Sequence, residues 1–264
     1  MRNTKLIVLL SVVSVLVIGI IACCATFLVR DVEAYNYYSI SQERDADVIA
    51  AAGIKHNTSM FLIDDVAVKS RVEQEYYDIE VINVERKFPD RVSVNYVVYE
   101  RLFQYKAGNK FYKCYASGRI GEESDNALGG YFTVKPKHAV STAPGAYFQS
   151  PDGYDFSAIK IFIDTMHTMG LNDSMMTGYI DFIDLTREGY IYIRTKYGSS
   201  IELKCTLDDF SRLLENGWNV FVGLDELEIN NKRGTIHVYS YAHNSLSYVE
   251  TDGNDYYLAN YRNL

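Results

Sequence analysis

The hydrophobic pattern opens with an uninterrupted block and then becomes periodic. Leu6–Val29 holds twenty-four residues without a charged side chain. As a helix rising about 1.5 Å per residue it would reach roughly 36 Å, enough to cross a hydrocarbon core of about 30 Å. Beyond it, Val32–Ser39 reads as a strand and Ser41 as the cap of a helix through Ala52, with Gly53 as its stop. A short apolar run, Met60–Ile63, leads to Asp64, a cap for a second helix to about Glu75 with Val68 and Val72 on one face. Ile82, Val84 and Arg86 then alternate, as do Val92, Val94, Tyr96 and Val98, with Phe88-Pro89-Asp90 between them: a hairpin. The order β-α-α-β-β predicts a small three-stranded sheet with two helices on one face.

The pattern continues with strands at Leu102–Lys106 and Lys110–Ala116, joined by Gly108-Asn109. Residues 118–153 hold three of the four prolines and read as loops around one short strand near Tyr131–Val134. Asp155 is expected to cap a helix through Met169, stopped by Gly170. Strands follow at Tyr179–Leu185, Tyr190–Thr195 and Ile201–Cys205. Thr206 and Asp209 form a capping-box pattern for a helix from Leu207 to Asn216 that Gly217 would close. Trp218, just beyond it, reads as a packing anchor or a partner contact. Strands return at Glu226–Ile229, Thr235–Tyr241 and Leu246–Glu250. The fold class is therefore α+β: an N-terminal transmembrane helix, a small β-α-α-β-β domain, then a mixed α/β domain with an antiparallel sheet and two or more helices. The expected boundaries are a cytoplasmic tail at 1–5, the span at 6–29, the first domain at 30–101, the second at 102–251 and a loosely held tail at 252–264.

Charge decides orientation and narrows the partners. Arg2 and Lys5 precede the block, so the N-terminus stays in the cytoplasm and the body beyond Arg30 is exported, a single-pass type II arrangement. Ile20-Ile21-Ala22-Cys23 also fits a lipoprotein cleavage box with Cys23 lipidated, although the chain stays apolar for six more residues. The chain carries a net −8, to which residues 1–30 contribute three positive charges and no negative one, leaving −11 beyond them. So acidic a body does not adhere to nucleic acid or anionic lipid by charge. Cys114 and Cys205, outside the block, are either two separate buried thiols or one bridge.

The first domain resembles the POTRA domain of the bacterial cell-division family FtsQ/DivIB. The resemblance rests on Ala52-Gly53-Ile54, Ser59-Met60-Phe61-Leu62-Ile63-Asp64, the run from Ile79 to Arg86, Pro89-Asp90-Arg91-Val92-Ser93-Val94 and Glu100-Arg101. Departures are Leu102 where the family has proline, a short cytoplasmic tail, and Tyr76 or Tyr77 in place of a common proline. The element order of the second half is similar to that family's β domain. The resemblance implies a non-catalytic divisome scaffold at the septal membrane. Its partners would be FtsB/DivIC-like and FtsL-like coiled-coil proteins and, through them, a septal wall synthase. A POTRA-bearing export or assembly factor, or a lipoprotein, that binds clients by strand addition is the alternative.

Chemistry changes that picture little. No Gly-x-Ser-x-Gly, Ser-x-x-Lys or His-Glu-x-x-His occurs, and His56, His138, His167, His237 and His243 lack metal-ligand spacing. No catalytic, cofactor, metal, nucleic-acid or small-molecule site is expected. Asp181 and Asp184, three apart on a strand, point to opposite faces and form no acid/base pair. The promising feature is the terminal strand pair. The last strand has no later strand to cover its outer edge; either the 252–264 tail or a loop covers it, or the edge is open and can accept a partner strand. In the resemblance this strand receives the FtsB/DivIC-type segment, which makes Tyr239, Tyr241, Leu246 and Tyr248 the candidate contacts.

Overall fold

The computed structural model describes residues 2–37, 43–226, 234–241 and 244–250. They divide into two units, Met1–Val98 and Tyr99–Leu264. The first begins with a helix, α1 (Arg2–Thr26). Among the residues whose side chains are described, which in α1 run without a break only over Leu10–Ala22, no helix is long and apolar enough to cross a membrane.

The helix stops three residues short of the expected end, and the reason lies in what residues 27–29 do instead. Val29 is fully buried in the core of the first unit. Its N–H donates to Thr58 O and its carbonyl accepts from Asn57 N, while Phe27 O accepts from Met60 N and Leu28 bridges Ser59. These apolar residues are the first ladder of the folded domain.

The domain continues with β1 (Asp31–Asn36), α2 (Asp45–Ala52), a 3₁₀ turn at Met60–Leu62, α3 (Asp65–Glu75), β2 (Ile79–Lys87) and β3 (Arg91–Val98). The sheet order is β1-β3-β2, with β1 parallel and β2 antiparallel to β3. Asp64 caps α3 as expected, accepting from Val66 N at 3.0 Å and Ala67 N at 3.1 Å. Gly53 ends α2 at φ 62°, a conformation open to glycine. The start of α2 departs from expectation: Asp45 opens it, and Ser41 lies outside the described residues.

The hairpin forms, but with a bulge between Val81 and Asn83 that breaks the predicted alternation. Val81 and Val84 are buried and Ile82 is turned out to solvent. Side chains of α3 serve the disturbed backbone. Glu73, itself buried, accepts Val81 N–H at 2.9 Å, and Lys69 donates to Val81 O at 2.8 Å. Both backbone polar groups of Val81, next to the extra residue Ile82, are thereby satisfied.

The second unit is a mixed sheet backed by helices. Its elements are β4 (Arg101–Ala107), β5 (Lys110–Tyr115), β6 (Ile120–Ser124), β7 (Phe132–Lys135), α4 (Tyr154–Thr168), α5 (Asp173–Tyr179), β8 (Ile180–Asp184), β9 (Tyr190–Thr195), β10 (Ser199–Lys204), α6 (Leu207–Glu226), β11 (Gly234–Tyr241) and β12 (Asn244–Glu250). The nine strands run β12-β11-β10-β9-β8-β7-β4-β5-β6. The sheet is not purely antiparallel as expected: β4–β7, β7–β8 and β10–β11 are parallel. Parallel neighbours need crossovers: α4 with α5 joins β7 to β8, α6 joins β10 to β11, and the β5–β6 segment joins β4 to β7. α4 and α6 pack together, Thr165 donating to Ser211 at 2.9 Å, over a core that includes Phe132, Phe162, Leu203 and Phe210.

The second unit departs from expectation at four further places. Residues 118–153 hold a strand, β6, that extends the β4–β5 hairpin. Asp155 is not the cap of α4; Gly153 occupies that position, and Asp155 is buried in the first turn. Gly217 does not end α6, which runs on to Glu226. A Cβ at Gly217 would lie 2.7 Å from Ile201 Cγ2 and 3.2 Å from Val238 Cγ2, so the missing side chain lets the helix press close on the sheet. The helix therefore takes in Trp218, which is 3% exposed and packs on Tyr179 and Phe221. The expected strand at Glu226–Ile229 has Glu226 in α6, and the rest lies outside the described residues, as does the tail at 252–264.

Candidate functional site

The β11–β12 end of the sheet is set by α6. Ile236 and Val238 of β11 are buried on the helix side, Val238 against Gly217. On the same side Ser240 receives a hydrogen bond from Arg212 at 3.0 Å, and Arg212 also pairs with Asp209 at 2.7 Å. Alternation then gives His237 and Tyr239 to the opposite face. β11 lies parallel to β10, Glu202 opposite His237 and Lys204 opposite Tyr239.

β12 pairs antiparallel with β11, and it is the terminal strand of the sheet, with β11 as its neighbour among the described residues. In this register Leu246 is opposite Tyr239, Tyr248 opposite His237 and Tyr241 opposite Asn244. The four candidates named from the sequence thus occupy register positions of one face, the face away from α6.

Part of that face borders an open depression of about 330 Å³, lined by Tyr190, Glu202, Lys204, His237, Val238 and Tyr239. The lining includes Tyr190, Glu202 and Lys204, which the sequence reading did not select. Glu202 joins two strands and a turn: its carboxylate accepts from Arg187 at 2.8 Å and meets His237 Nδ1 at 3.1 Å. The Arg187 guanidinium lies 3.6 Å from the Tyr190 ring centroid. A signal was present in the alternation of Glu202 with Lys204 and of His237 with Tyr239. Only the parallel pairing across α6 brings those two short patterns side by side.

Elsewhere, His138, Asp152 and Asp155 present ligand atoms within 4.8 Å of one another, a grouping able to hold a metal ion. Their existing bonds describe a tether. Asp155 accepts from Lys137 N at 2.6 Å and His138 N at 3.2 Å; Asp152 accepts from the Ser150 hydroxyl at 2.7 Å and Tyr154 N at 3.1 Å. Both carboxylates stand at the positive end of α4, which favours anions over a cation. Asp181 and Asp184 are separated as expected: the first pairs with Arg194, while the buried second accepts from Thr186 N and its hydroxyl. Cys114 and Cys205 are free thiols.

The first unit, with its β-α-α-β-β order and β1 added parallel to a hairpin, is of the POTRA class. Residues 40–98 match the family model described as POTRA domain, FtsQ-type. The match supports the resemblance to the FtsQ/DivIB cell-division proteins, and a domain of this type points to a division scaffold. No curated protein matches the chain. Among solved structures, the chain is similar to the major extracytoplasmic domain of the trans isomer of the bacterial cell division protein DivIB from Geobacillus stearothermophilus. Identity is 14%, coverage 48% of this chain and 95% of that one, and the TM-score 0.29, too low to support an argument about architecture.

Proposed function

We propose that this chain is a membrane-anchored, non-catalytic division scaffold of the FtsQ/DivIB kind. Its β12 edge accepts a strand from an FtsB/DivIC-like partner, itself paired with an FtsL-like coiled coil. The complex helps assemble and regulate septal wall synthesis. The observation that carries the reading is the FtsQ-type POTRA domain at 40–98. The terminal position of β12 supports the docking mode, since the outer N–H and C=O groups of an edge strand can be completed by another chain.

The anchor is α1. Its large apolar side chains from Leu10 to Ile21 are exposed, and consecutive ones at Val15, Leu16, Val17 and Ile18 look out in every direction around the axis. A helix apolar on all sides belongs in an apolar medium. Leu6–Thr26, the uncharged part of α1, would extend about 31 Å, close to the thickness of a hydrocarbon core. Arg2 and Lys5 keep its start in the cytoplasm, and the body sits at the septum outside the membrane.

The test has two arms. Depleting the protein is expected to produce filaments without septa; normal septation would refute the scaffold role. Pull-down with the full chain is expected to recover a small coiled-coil membrane protein. Tyr248→Pro, which removes a possible ladder donor from β12, should lose it while the chain stays folded. Full recovery by a folded Tyr248→Pro chain would rule out this edge.

A further inference from the structure

The first unit has an apolar patch whose position is tied to the end of α1. Phe61 is 49%, Leu62 73% and Phe88 54% exposed, and exposed apolar side chains carry meaning where they form one contiguous patch. Phe27, one residue beyond α1, joins them. Its ring lies 5.8 Å from Phe61 and 5.2 Å from Phe88, and those two are 5.8 Å apart. The three rings therefore form one cluster, built from the helix exit, the 3₁₀ turn and the β2–β3 turn.

Hydrogen bonds hold the cluster there. Met60 N donates to Phe27 O, and Val29 exchanges bonds with Asn57 and Thr58. Behind the rings, Arg86 donates to Met60 O at 3.0 Å, Ile63 O at 2.8 Å and the Asp65 carboxylate at 2.7 Å, which stiffens the turn that carries Phe61 and Leu62.

From this placement we infer that the POTRA unit rests on the outer leaflet of the bilayer, with Phe61, Leu62 and Phe88 inserted at the lipid interface. The inference rests on the anchor reading given above. If Leu6–Thr26 fills the hydrocarbon core, Thr26 stands at its boundary, and Phe27 with the attached rings falls in the interfacial layer, where such side chains settle about 5–10 Å deep. The occupant is lipid because the neighbouring helix already demands lipid and no intervening chain separates the two apolar surfaces. The contact is apolar in origin, since a body of net charge −11 beyond residue 30 gains nothing from anionic headgroups. The unit would thus have two attachments, one through the bilayer and one on it, and its orientation to the membrane would be fixed.

The test uses the full chain in vesicles whose lipids carry bromine high on the acyl chains. Leu62→Trp and Phe61→Trp are compared with Ile82→Trp, an exposed apolar position in the same unit near the far end of β2. The native Trp218 is buried and contributes equally to all three. Emission from position 61 or 62 should shift to the blue and fall roughly twofold, unaffected by added salt, with position 82 unchanged. Chains that float with the vesicles but show no quenching at 61 and 62 would overturn the inference and leave the anchor standing. A blue shift without quenching that disappears on dilution would mean a second copy covers the patch, which also overturns it. Chains that fail to float would remove the anchor and the inference together.

Discussion

Substitution at Gly217 separates two roles that glycine plays in helices. As a stop signal it would occupy the left-handed region, and asparagine would be the best replacement. As a point of close approach it would lie within the helix, and every added atom would meet the sheet. The structure gives the second role, with an added Cβ 2.7 Å from Ile201 Cγ2, about 1 Å inside the optimum for two carbons. Ile201 is a branched, fully buried side chain on a central strand and has little freedom to move aside. For Gly217→Ala, overpacking costs about 1–3 kcal/mol and the gain in helix propensity returns about 1, for a net loss of about 1 kcal/mol. Gly217→Asn adds a polar amide to the same space, and the loss rises to about 3 kcal/mol. Gly223, in the same helix with nothing near its Cβ position, is the control: Gly223→Ala should gain about 0.5–1 kcal/mol. Denaturant unfolding of the full chain in detergent, followed through the single tryptophan, Trp218, reads the second unit alone. An asparagine variant more stable than the alanine variant, or no gain at Gly223, would refute the argument. The outcome also bears on partner docking, because α6 presses on β10 and β11, and β11 is the strand that pairs with β12 among the described residues.

Two further outcomes are expected. Arg86→Met should destabilise the first unit by about 2–3 kcal/mol, since it leaves the Met60 and Ile63 carbonyls and the Asp65 carboxylate without their shared donor; hydrogen exchange should show the loss concentrated at residues 60–65. Burial, with Asp209 nearby, pushes the Cys205 thiol up to about 12, and burial raises Cys114 as well. The ordinary thiol value being 9.0, the reactive thiolate at Cys205 is about a thousandfold scarcer near neutral pH. Peptide mapping after maleimide treatment should find both sites unlabelled in the native chain and labelled after unfolding without reductant. Labelling that requires reduction would mean a bridge.

What could be read from the sequence was local. Asp64 over α3, Gly53 after α2, β9 and the β2–β3 pair are all decided within ten residues or so by caps, turns and alternation. The misreadings share a cause as well. The bulge at Val81–Asn83 depends on Glu73 and Lys69 arriving from α3, and β6 exists because β5 offers it an edge. Gly217 looks like a stop until Ile201 and Val238 are placed beneath it. The span was overrun at Val29 because a buried core residue and a lipid-facing one have the same apolar character; only the bonds to Asn57 and Thr58 assign residues 27–29 to the domain. For the candidate site, alternation marked Tyr239, Tyr241, Leu246 and Tyr248. Arg187, Tyr190 and Glu202 meet across the local β9–β10 hairpin, but their place beside His237 and Tyr239 stayed invisible because the β10–β11 ladder closes over the whole of α6.

The joint at Thr26–Val29 has a mechanical consequence. The first hydrogen bond to the folded domain is made by Phe27, immediately after the last helical residue, so there is no slack segment to absorb a twist or a tug. A load applied to the first unit reaches α1 undiminished, and a rolling or leaning α1 would steer that unit like a handle fixed to its shaft.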